Sequence, residues 1–325
     1  GDVYKRQGQI IDSLNWLGLQ WSEPLLFQSE RTGAYKNAIQ KLLDNGAAYR
    51  CFLTREELDQ ARNEAQDKGG DFRVPKTYRD MPLQDQKRLL NAGQTFTLRL
   101  KIPPGKTLFK DHIYGAITVN NKEIDDFIIA RSDGTPTYNF TVVVDDHTMG
   151  ISHVIRGEDH ISNTPKQLLI YEALGYPAPE FAHLPMILGA DKKRLSKRHG
   201  AAGIQEFRDA GYAADALLNY LVMLGWNPGT EQELFTREEM VDQFDISKVQ
   251  KKGAVYDEKK LYWIAGQHLA RVSEDELLQS IRSEEPNWQR HAKDEYIHHI
   301  LKLSLIHISE PTRRTPISYA VFCLK

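Results

Sequence analysis

Cysteine is scarce: Cys51 and Cys323 are the two in a chain of 325 residues, and they stand far apart in no paired spacing. That excludes a disulfide framework and a four-cysteine zinc site, and makes a reducing cytoplasm the default compartment. No apolar run approaches membrane-spanning length, and no secretory segment opens the sequence. An excess of one charge is lacking too, since 42 Lys and Arg stand against 44 Asp and Glu, for a formal net charge of −2. Any nucleic-acid contact must therefore come from a local basic face. Internal repeats and low-complexity stretches are missing as well. What is present is a globular composition, 41% hydrophobic and 26% charged, enough for two or three domains with real cores. A soluble, intracellular protein is expected.

Both ends lack folding logic. Residues 1–8 begin without methionine and run straight into a helical pattern, and residues 303–325 carry no sustained helical or strand period. Both resemble translated sequencing-adaptor DNA, so the stretch between them is expected to be an internal piece of a longer protein.

Along that stretch, Ile10, Ile11, Leu14 and Leu17 share a helical face. Tyr35, Ala38, Ile39, Leu42 and Leu43 mark a second helix ending at Asn45-Gly46. Thr54-Arg55-Glu56-Glu57, Thr236-Arg237-Glu238-Glu239 and Ser273-Glu274-Asp275-Glu276 are capping boxes. Residues 66–93 are polar and rich in Gly, Asp and Pro, and read as irregular. Phe96, Leu98, Leu100 and Ile102 alternate with Thr97, Arg99 and Lys101 as a half-buried strand, and short strands are expected near residues 115–119 and 127–131. Residues 138–144, Tyr-Asn-Phe-Thr-Val-Val-Val, read as a nearly continuous apolar strand ending at Asp145-Asp146. Strands at 154–156 and 181–184 flank a helix that opens at Asn163-Thr164-Pro165 and stops at Gly175. Apolar strands alternating with helices argue for a doubly wound parallel sheet, with ligands at the carboxyl ends of its strands. Beyond Gly203 the pattern is all-helical.

The densest chemistry lies at Lys192-Lys193-Arg194-Leu195-Ser196-Lys197-Arg198-His199, which follows the strand-like Met186-Ile187-Leu188 and a turn at Gly189. Such a loop can close over a polyphosphate through mobile lysines and backbone N–H groups, although a solvated charge run has the same composition.

From about residue 10 to 300 the chain resembles bacterial glutamyl-tRNA synthetases, of the class I aminoacyl-tRNA synthetases. The motifs that carry the resemblance are Gly134-Thr135-Pro136-Thr137-Tyr138-Asn139-Phe140, Val142-Val143-Val144-Asp145-Asp146, His153-Val154-Ile155-Arg156-Gly157-Glu158-Asp159-His160, Asn163-Thr164-Pro165 and Leu195-Ser196-Lys197-Arg198-His199-Gly200. The resemblance implies an α/β fold: a partial doubly wound, Rossmann-type catalytic domain with an α+β acceptor-binding insertion, then an all-helical region. On that basis residues 9–48 are a remnant of the first half of the catalytic domain, 49–126 the insertion, and 127–203 its second half with the signature loop. Residues 204–266 form a helical stem-contact region, and 267–302 begin an anticodon-binding domain. The implied chemistry is ATP-dependent formation of glutamyl-adenylate, followed by transfer to tRNA. Lys197 matches the catalytic lysine that neutralises departing pyrophosphate. Arg194, Leu195, Ser196, Lys197, Arg198 and Glu158 fall at ATP-binding positions, and Tyr138 and Arg156 at glutamate-binding ones. Mg2+ is expected to come with the ATP.

Two departures matter. The His-Ile-Gly-His strand–loop–helix that family members carry near their start has no counterpart, so the sequence as it stands is expected to be inactive and, with its sheet incomplete around residues 142–144, poorly soluble. Some relatives hold zinc through cysteine pairs near residues 49–51, but Cys51 is alone, so no metal site and no zinc are expected. Tyrosine 138 could equally be a core residue, Arg156 a structural ion pair with Glu158 or Asp159, and Glu158 purely structural. A tRNA-modifying glutamyl paralogue and a non-catalytic tRNA-binding module are the alternative functions. For tRNA contact the basic candidates are Arg73, Lys76 and Arg79, with Lys248, Lys251 and Lys252. A monomer without membrane contact is expected.

Overall fold

The computed structural model describes residues 2–22, 24–195, 203–273 and 275–276. The chain divides into two compact units, Leu25–Leu184, and Gly1–Pro24 together with Pro185–Lys325. The first helix in chain order, α1 (Asp2–Trp16), belongs to the latter and runs on through the residues read from sequence as a foreign tail.

The unit Leu25–Leu184 holds α2 (Thr32–Asp44), β1 (Ala48–Cys51), α3 (Arg55–Asp67), α4 (Leu83–Asn91), β2 (Thr97–Leu100), β3 (Lys106–Asp111), β4 (Gly115–Asn120), β5 (Ile128–Ala130), α5 (Tyr138–Thr148), β6 (His153–Gly157), α6 (Thr164–Leu174) and β7 (Glu180–Leu184). Two sheets result, ordered β1-β2-β5 and β4-β3-β7-β6. In the second, β6 and β7 are parallel over five pairs from His153↔Glu180 to Gly157↔Leu184, β3 joins β7 in parallel at Asp111↔Phe181, and β3 and β4 form an antiparallel hairpin. The fold class is mixed α/β and Rossmann-like, followed by a helical region. Strand pairing crosses residue 126 in both directions: β5 joins the strands of the 49–126 segment, and β3 and β4 join β7.

One expectation is overturned. Residues 138–148 form helix α5, not a strand. Phe140, Val143 and Val144 are 0%, 0% and 3% exposed, and their helical spacing points them all at α2, α6 and β5 in one core. Three valines cost a helix up to roughly 0.7 kcal/mol each in propensity, whereas fully burying Val143 and Val144 gains about 1.5–3 kcal/mol each, so packing wins. An apolar run of this length cannot be told from a buried helix by periodicity. The expected unpaired edge at Val142–Val144 therefore does not exist. A second difference is α4, inside the stretch read as irregular: its sequence LQDQKRLLN buries no residue and so carries little periodic signal. The β3–β4 hairpin was legible only in its second strand.

Helix α5 also brings Asp145 inward. Its carboxylate, 6% exposed, accepts from Arg31 Nε at 2.7 Å, Gln28 Nε2 at 2.8 Å and the Tyr35 hydroxyl at 3.0 and 2.9 Å. Burial first, and then the neighbouring Asp145, push the Tyr35 phenol up to about 12, so it stays a donor. A comparable bracket organises the other sheet. Asp126 is ion-paired with Arg79, accepts the Ile102 N–H at 2.9 Å and the Tyr49 hydroxyl at 3.2 Å, and its backbone carbonyl accepts Arg99 Nη1 at 2.6 Å.

The second unit is helical: α7 (Ile204–Asp209), α8 (Ala214–Met223), α9 (Arg237–Gln243) and α10 (Glu258–Leu269) follow α1. Leu17, Leu217, Tyr220, Leu261 and Ile264 form its core. Ile11, Leu14 and Leu17 are at least partly covered, but Ile10 is 61% exposed and lies off the stripe. The capping boxes at Thr54 and Thr236 form with both reciprocal bonds, and Ser273 and Glu276 exchange the same pair.

Removing one partner of a buried pair leaves the other charge uncompensated. Asp145→Ala should therefore destabilise the chain by about 3–5 kcal/mol in urea unfolding, and Asp145→Leu combined with Arg31→Met should recover much of that loss. A loss below about 1 kcal/mol would mean that Arg31 finds water instead.

Candidate active site

Arg156 sits near the carboxyl end of β6, where open parallel sheets expose their strand ends to ligands. Register places it directly opposite His183 on β7. Its Nε donates to His183 Nε2 at 3.2 Å, and its Nη2 donates to Thr164 Oγ1 at 2.9 Å and Gln167 Oε1 at 2.8 Å. All three acceptors are neutral. Among the described residues no carboxylate forms a salt bridge with Arg156, so the expected alternative of an ion pair with Glu158 or Asp159 is not what holds it; Asp146 acts on its charge from further off. Burial pulls the guanidinium below the usual arginine range, yet it remains cationic. The result is a half-buried cation whose geometry is fixed by neutral groups, which leaves its charge for a bound anion.

The imidazole that fixes it is itself fixed. His183 is fully buried, and its Nδ1 lies 2.7 Å from Asp111 Oδ2. Burial pushes the Asp111 carboxyl up, but the N–H of Tyr114, the His183 ring and the N–H of Ile113 outweigh it and leave it below the usual carboxylate range. The ionised Asp111 accepts a hydrogen bond from Nδ1–H, so Nε2 presents a lone pair to Arg156 and to the Thr164 hydroxyl at 3.1 Å. Burial also pulls the His183 imidazole below its ordinary value, keeping it neutral. Gln167 is oriented in turn by Asn139, to which its amide donates at 3.1 Å.

Tyr138 opens α5 and is 51% exposed, not a core residue. Its phenol is among the groups that act on Arg156, and its hydroxyl lies 3.5 Å from His160 Nδ1. The structure thus brings together Tyr138 and Arg156, the two residues placed at glutamate-binding positions. Glu158 opens the 3-10 turn Glu158–Asn163, with its carboxylate taken by the Tyr114 hydroxyl, whose own phenol burial and then Glu158 push up to about 12. A Cβ at Gly157 would lie 2.7 Å from Asp159 Oδ1, so a larger residue there would have to displace that carboxylate.

The basic loop begins in the other unit and is described by itself. Leu188 pairs with Arg194 and with Val255, Gly189 donates to Lys193 O at 2.8 Å, and Leu195 donates to Ile187 O at 2.9 Å. The turn starts at Gly189, whose carbonyl accepts the Lys192 N–H at 2.9 Å, and its left-handed residue is Lys192, with φ 60°. Arg194 is exposed and Leu195 partly covered; Ser196, Lys197 and Arg198 lie outside the described residues. Of the basic candidates, Arg73, Lys76, Lys251 and Lys252 are exposed, Lys248 Nζ donates to Pro228 O at 3.1 Å, and Arg79 is engaged with Asp126 and Ile102 O. Cys51 is buried with a free thiol.

Residues 3–263 match the family described as tRNA synthetases class I (E and Q), catalytic domain, and the chain belongs to that family. It is 49% identical over 271 residues to a glutamate–tRNA ligase of Geobacter sulfurreducens, covering 83% of this chain and 57% of that protein. It is also 49% identical over 265 residues to the glutamate–tRNA ligase of Aquifex aeolicus, covering 81% of this chain and 56% of the relative. A solved glutamate tRNA ligase from Elizabethkingia meningosepticum, in complex with its amino acid, matches with a TM-score of 0.84 and 32% identity, over 93% of this chain and 67% of that one. The chain thus spans little more than half the length of these curated relatives.

His183, Asp111, Thr164 and Gln167 were not singled out from sequence as site residues. Because the folded-state value of His183 lies below the unfolded value of about 6.5, the unfolded chain binds more protons just below that pH. Its contribution to stability is complete above about 6.5 and is lost as pH falls toward the folded value. Ring-nitrogen NMR should find His183 as the neutral Nδ1–H tautomer at pH 6. In His183→Gln the fall of unfolding midpoint between about pH 6.5 and 5 should flatten, leaving the share of His268, which burial also lowers. A His183 ring that titrates at an ordinary value would refute the assignment.

Proposed function

We propose that this chain is the central part of a glutamate–tRNA ligase, with Arg156 binding a carboxylate of glutamate. The observation that carries the reading is the Arg156 cation, held by His183, Thr164 and Gln167 beside the exposed Tyr138, in a chain of this family. The reaction joins a glutamate carboxylate to the α-phosphorus of ATP with loss of pyrophosphate, then passes the glutamyl group to the terminal ribose of tRNA. Both steps depend on positioning and charge stabilisation. Arg156 offers a fork of N–H donors suited to a planar carboxylate, and Tyr138 a hydroxyl beside it. Lys197, with Arg194 and Arg198, supplies positive charge to the departing pyrophosphate, and Leu195 and Ser196 complete the ATP-facing loop. Glu158 orders the turn after β6 through Tyr114.

Mg2+ enters with the ATP. The donors that cluster among the described residues, His112, His153 and Glu180, include two imidazoles and do not suit a hard cation that prefers oxygen. The tRNA is met by Arg73 and Lys76, in the segment between α3 and α4, and by Lys248, Lys251 and Lys252 in the helical unit, with Arg79 shaping the first of these surfaces from within. A cytoplasmic monomer fits this role and the scarcity of cysteine. Among the described residues no helix is long and apolar enough to cross a membrane.

A chimaera in which residues 10–269 replace the matching stretch of the Aquifex aeolicus ligase tests these roles. Lys197→Ala should slow glutamate-dependent ATP–pyrophosphate exchange by roughly 10²–10³-fold with little change in glutamate affinity. Arg156→Ala should first raise the KM for glutamate, as expected when a charged hydrogen-bond partner is lost. Equal and unselective losses in both variants would sink the assignment.

In the same chimaera, tRNA affinity should fall with salt at a log–log slope of about −0.7 to −0.9 per phosphate contact. Lys251→Glu with Lys252→Glu should lower both affinity and slope, leaving adenylate formation intact. Unchanged affinity and slope would show that this face does not touch tRNA.

A further inference from the structure

At the opposite end of β6 from the Arg156 site, three adjacent strands each contribute a metal-binding side chain. His153 opens β6, Glu180 opens β7, and the two are register partners. His112 follows the last residue of β3, and its backbone N–H is bonded to Phe181 O at 2.9 Å. Glu180 Oε2 lies 2.6 Å from His112 Nε2 and 3.8 Å from His153 Nε2, and the three ligand atoms lie within 4.8 Å of one another. The edges of a tetrahedral zinc site with bond lengths near 2.1 Å measure about 3.4 Å, so small side-chain rotations suffice to bring all three onto one ion.

Three further features favour a cation. The His153 ring is oriented by its neighbour, with Nδ1 at 3.0 Å from Ser152 Oγ, which leaves Nε2 for a ligand in the manner of a metal-bound histidine. The backbone beneath is anchored, since Glu180 N donates to Ser152 O at 2.8 Å and His112 is tied to β7. The side chains are 31%, 51% and 62% exposed for His112, His153 and Glu180, so an ion can enter and water can fill its remaining positions.

We propose that His112, His153 and Glu180 form a binding site for one divalent cation of the zinc class. Two imidazoles and a carboxylate suit Zn2+, Ni2+ or Cu2+ and do not suit Mg2+ or Ca2+. The bound ion links the ends of β3, β6 and β7. The site shares no residue with the substrate machinery around Arg156, and it is unrelated to the lone Cys51.

The test is calorimetric titration of the metal-free full chain with Zn2+, alongside His112→Ala, His153→Ala, Glu180→Gln and Ser152→Ala. The wild type should show one tight site that each ligand variant loses, with affinity reduced well over tenfold. Ser152→Ala should weaken it by about tenfold, the effect of removing a partner behind a ligating histidine. Zn2+ should raise the unfolding temperature of the wild type and leave Glu180→Gln unmoved. Because the chain carries 11 histidines, other sites can contribute heat, and the decisive quantity is the difference between wild type and variants. Equal numbers and affinities of sites in all the proteins would overturn the proposal, as would no zinc binding by the wild type. Should His112→Ala fold poorly, His153→Ala and Glu180→Gln decide the matter alone.

Discussion

A single half-buried cation sets the terms for the sheet around it. In the role proposed for it Arg156 needs its charge unspent, because an internal carboxylate would compete with a bound anion. It also needs its position fixed, because a loose guanidinium gives up entropy on binding. Neutral acceptors meet both demands: His183, Thr164 and Gln167 take its hydrogen bonds without neutralising it. Those acceptors in turn need orientation, and the chain of dependence runs outward to Asp111 at the end of β3 and to Asn139 on α5. Two strands and two helices thus converge on the placement of one side chain.

The role of Asp111 shows how burial and hydrogen bonding divide the work. Alone, a carboxylate this deep would protonate and cease to select a tautomer. The backbone N–H groups of Ile113 and Tyr114, each at 2.9 Å, make ionisation affordable and so fix which His183 nitrogen carries the proton. The negative charge of Asp111 is thereby kept one imidazole away from Arg156. It polarises the ring that accepts from the guanidinium without occupying the guanidinium itself.

How much of this was legible in the sequence depends on the range of the contact. Arg156 and Tyr138 stand in contiguous motifs that the family resemblance picks out, and the capping boxes at Thr54 and Thr236 follow from local chemistry. The helix start at Thr164 and stop at Gly175, with φ 64°, follow from proline and glycine alone. Residues 138–144 misled because three valines and a phenylalanine carry no information about period, and only the core they enter decides the matter. His183 and Asp111 were invisible for a different reason. They are 72 positions apart, and they meet because β3 and β7 are parallel neighbours, a pairing no local pattern specifies.

The same parallel register explains how one strand can serve two chemistries. Side chains along β6 alternate between faces, so His153 and Arg156, three positions apart, project to opposite sides as well as to opposite ends. At the Arg156 level the register partner is a buried histidine tied to Asp111, and at the His153 level it is the exposed Glu180. Burial separates their behaviour. The inner histidine is held neutral by desolvation and spends both nitrogens on protein partners. The outer pair remains open to water, where the imidazole and carboxylate are within reach of a cation of the zinc class. Equivalent residue types on neighbouring strands therefore take different roles, and what assigns the role is the depth at which the sheet presents them.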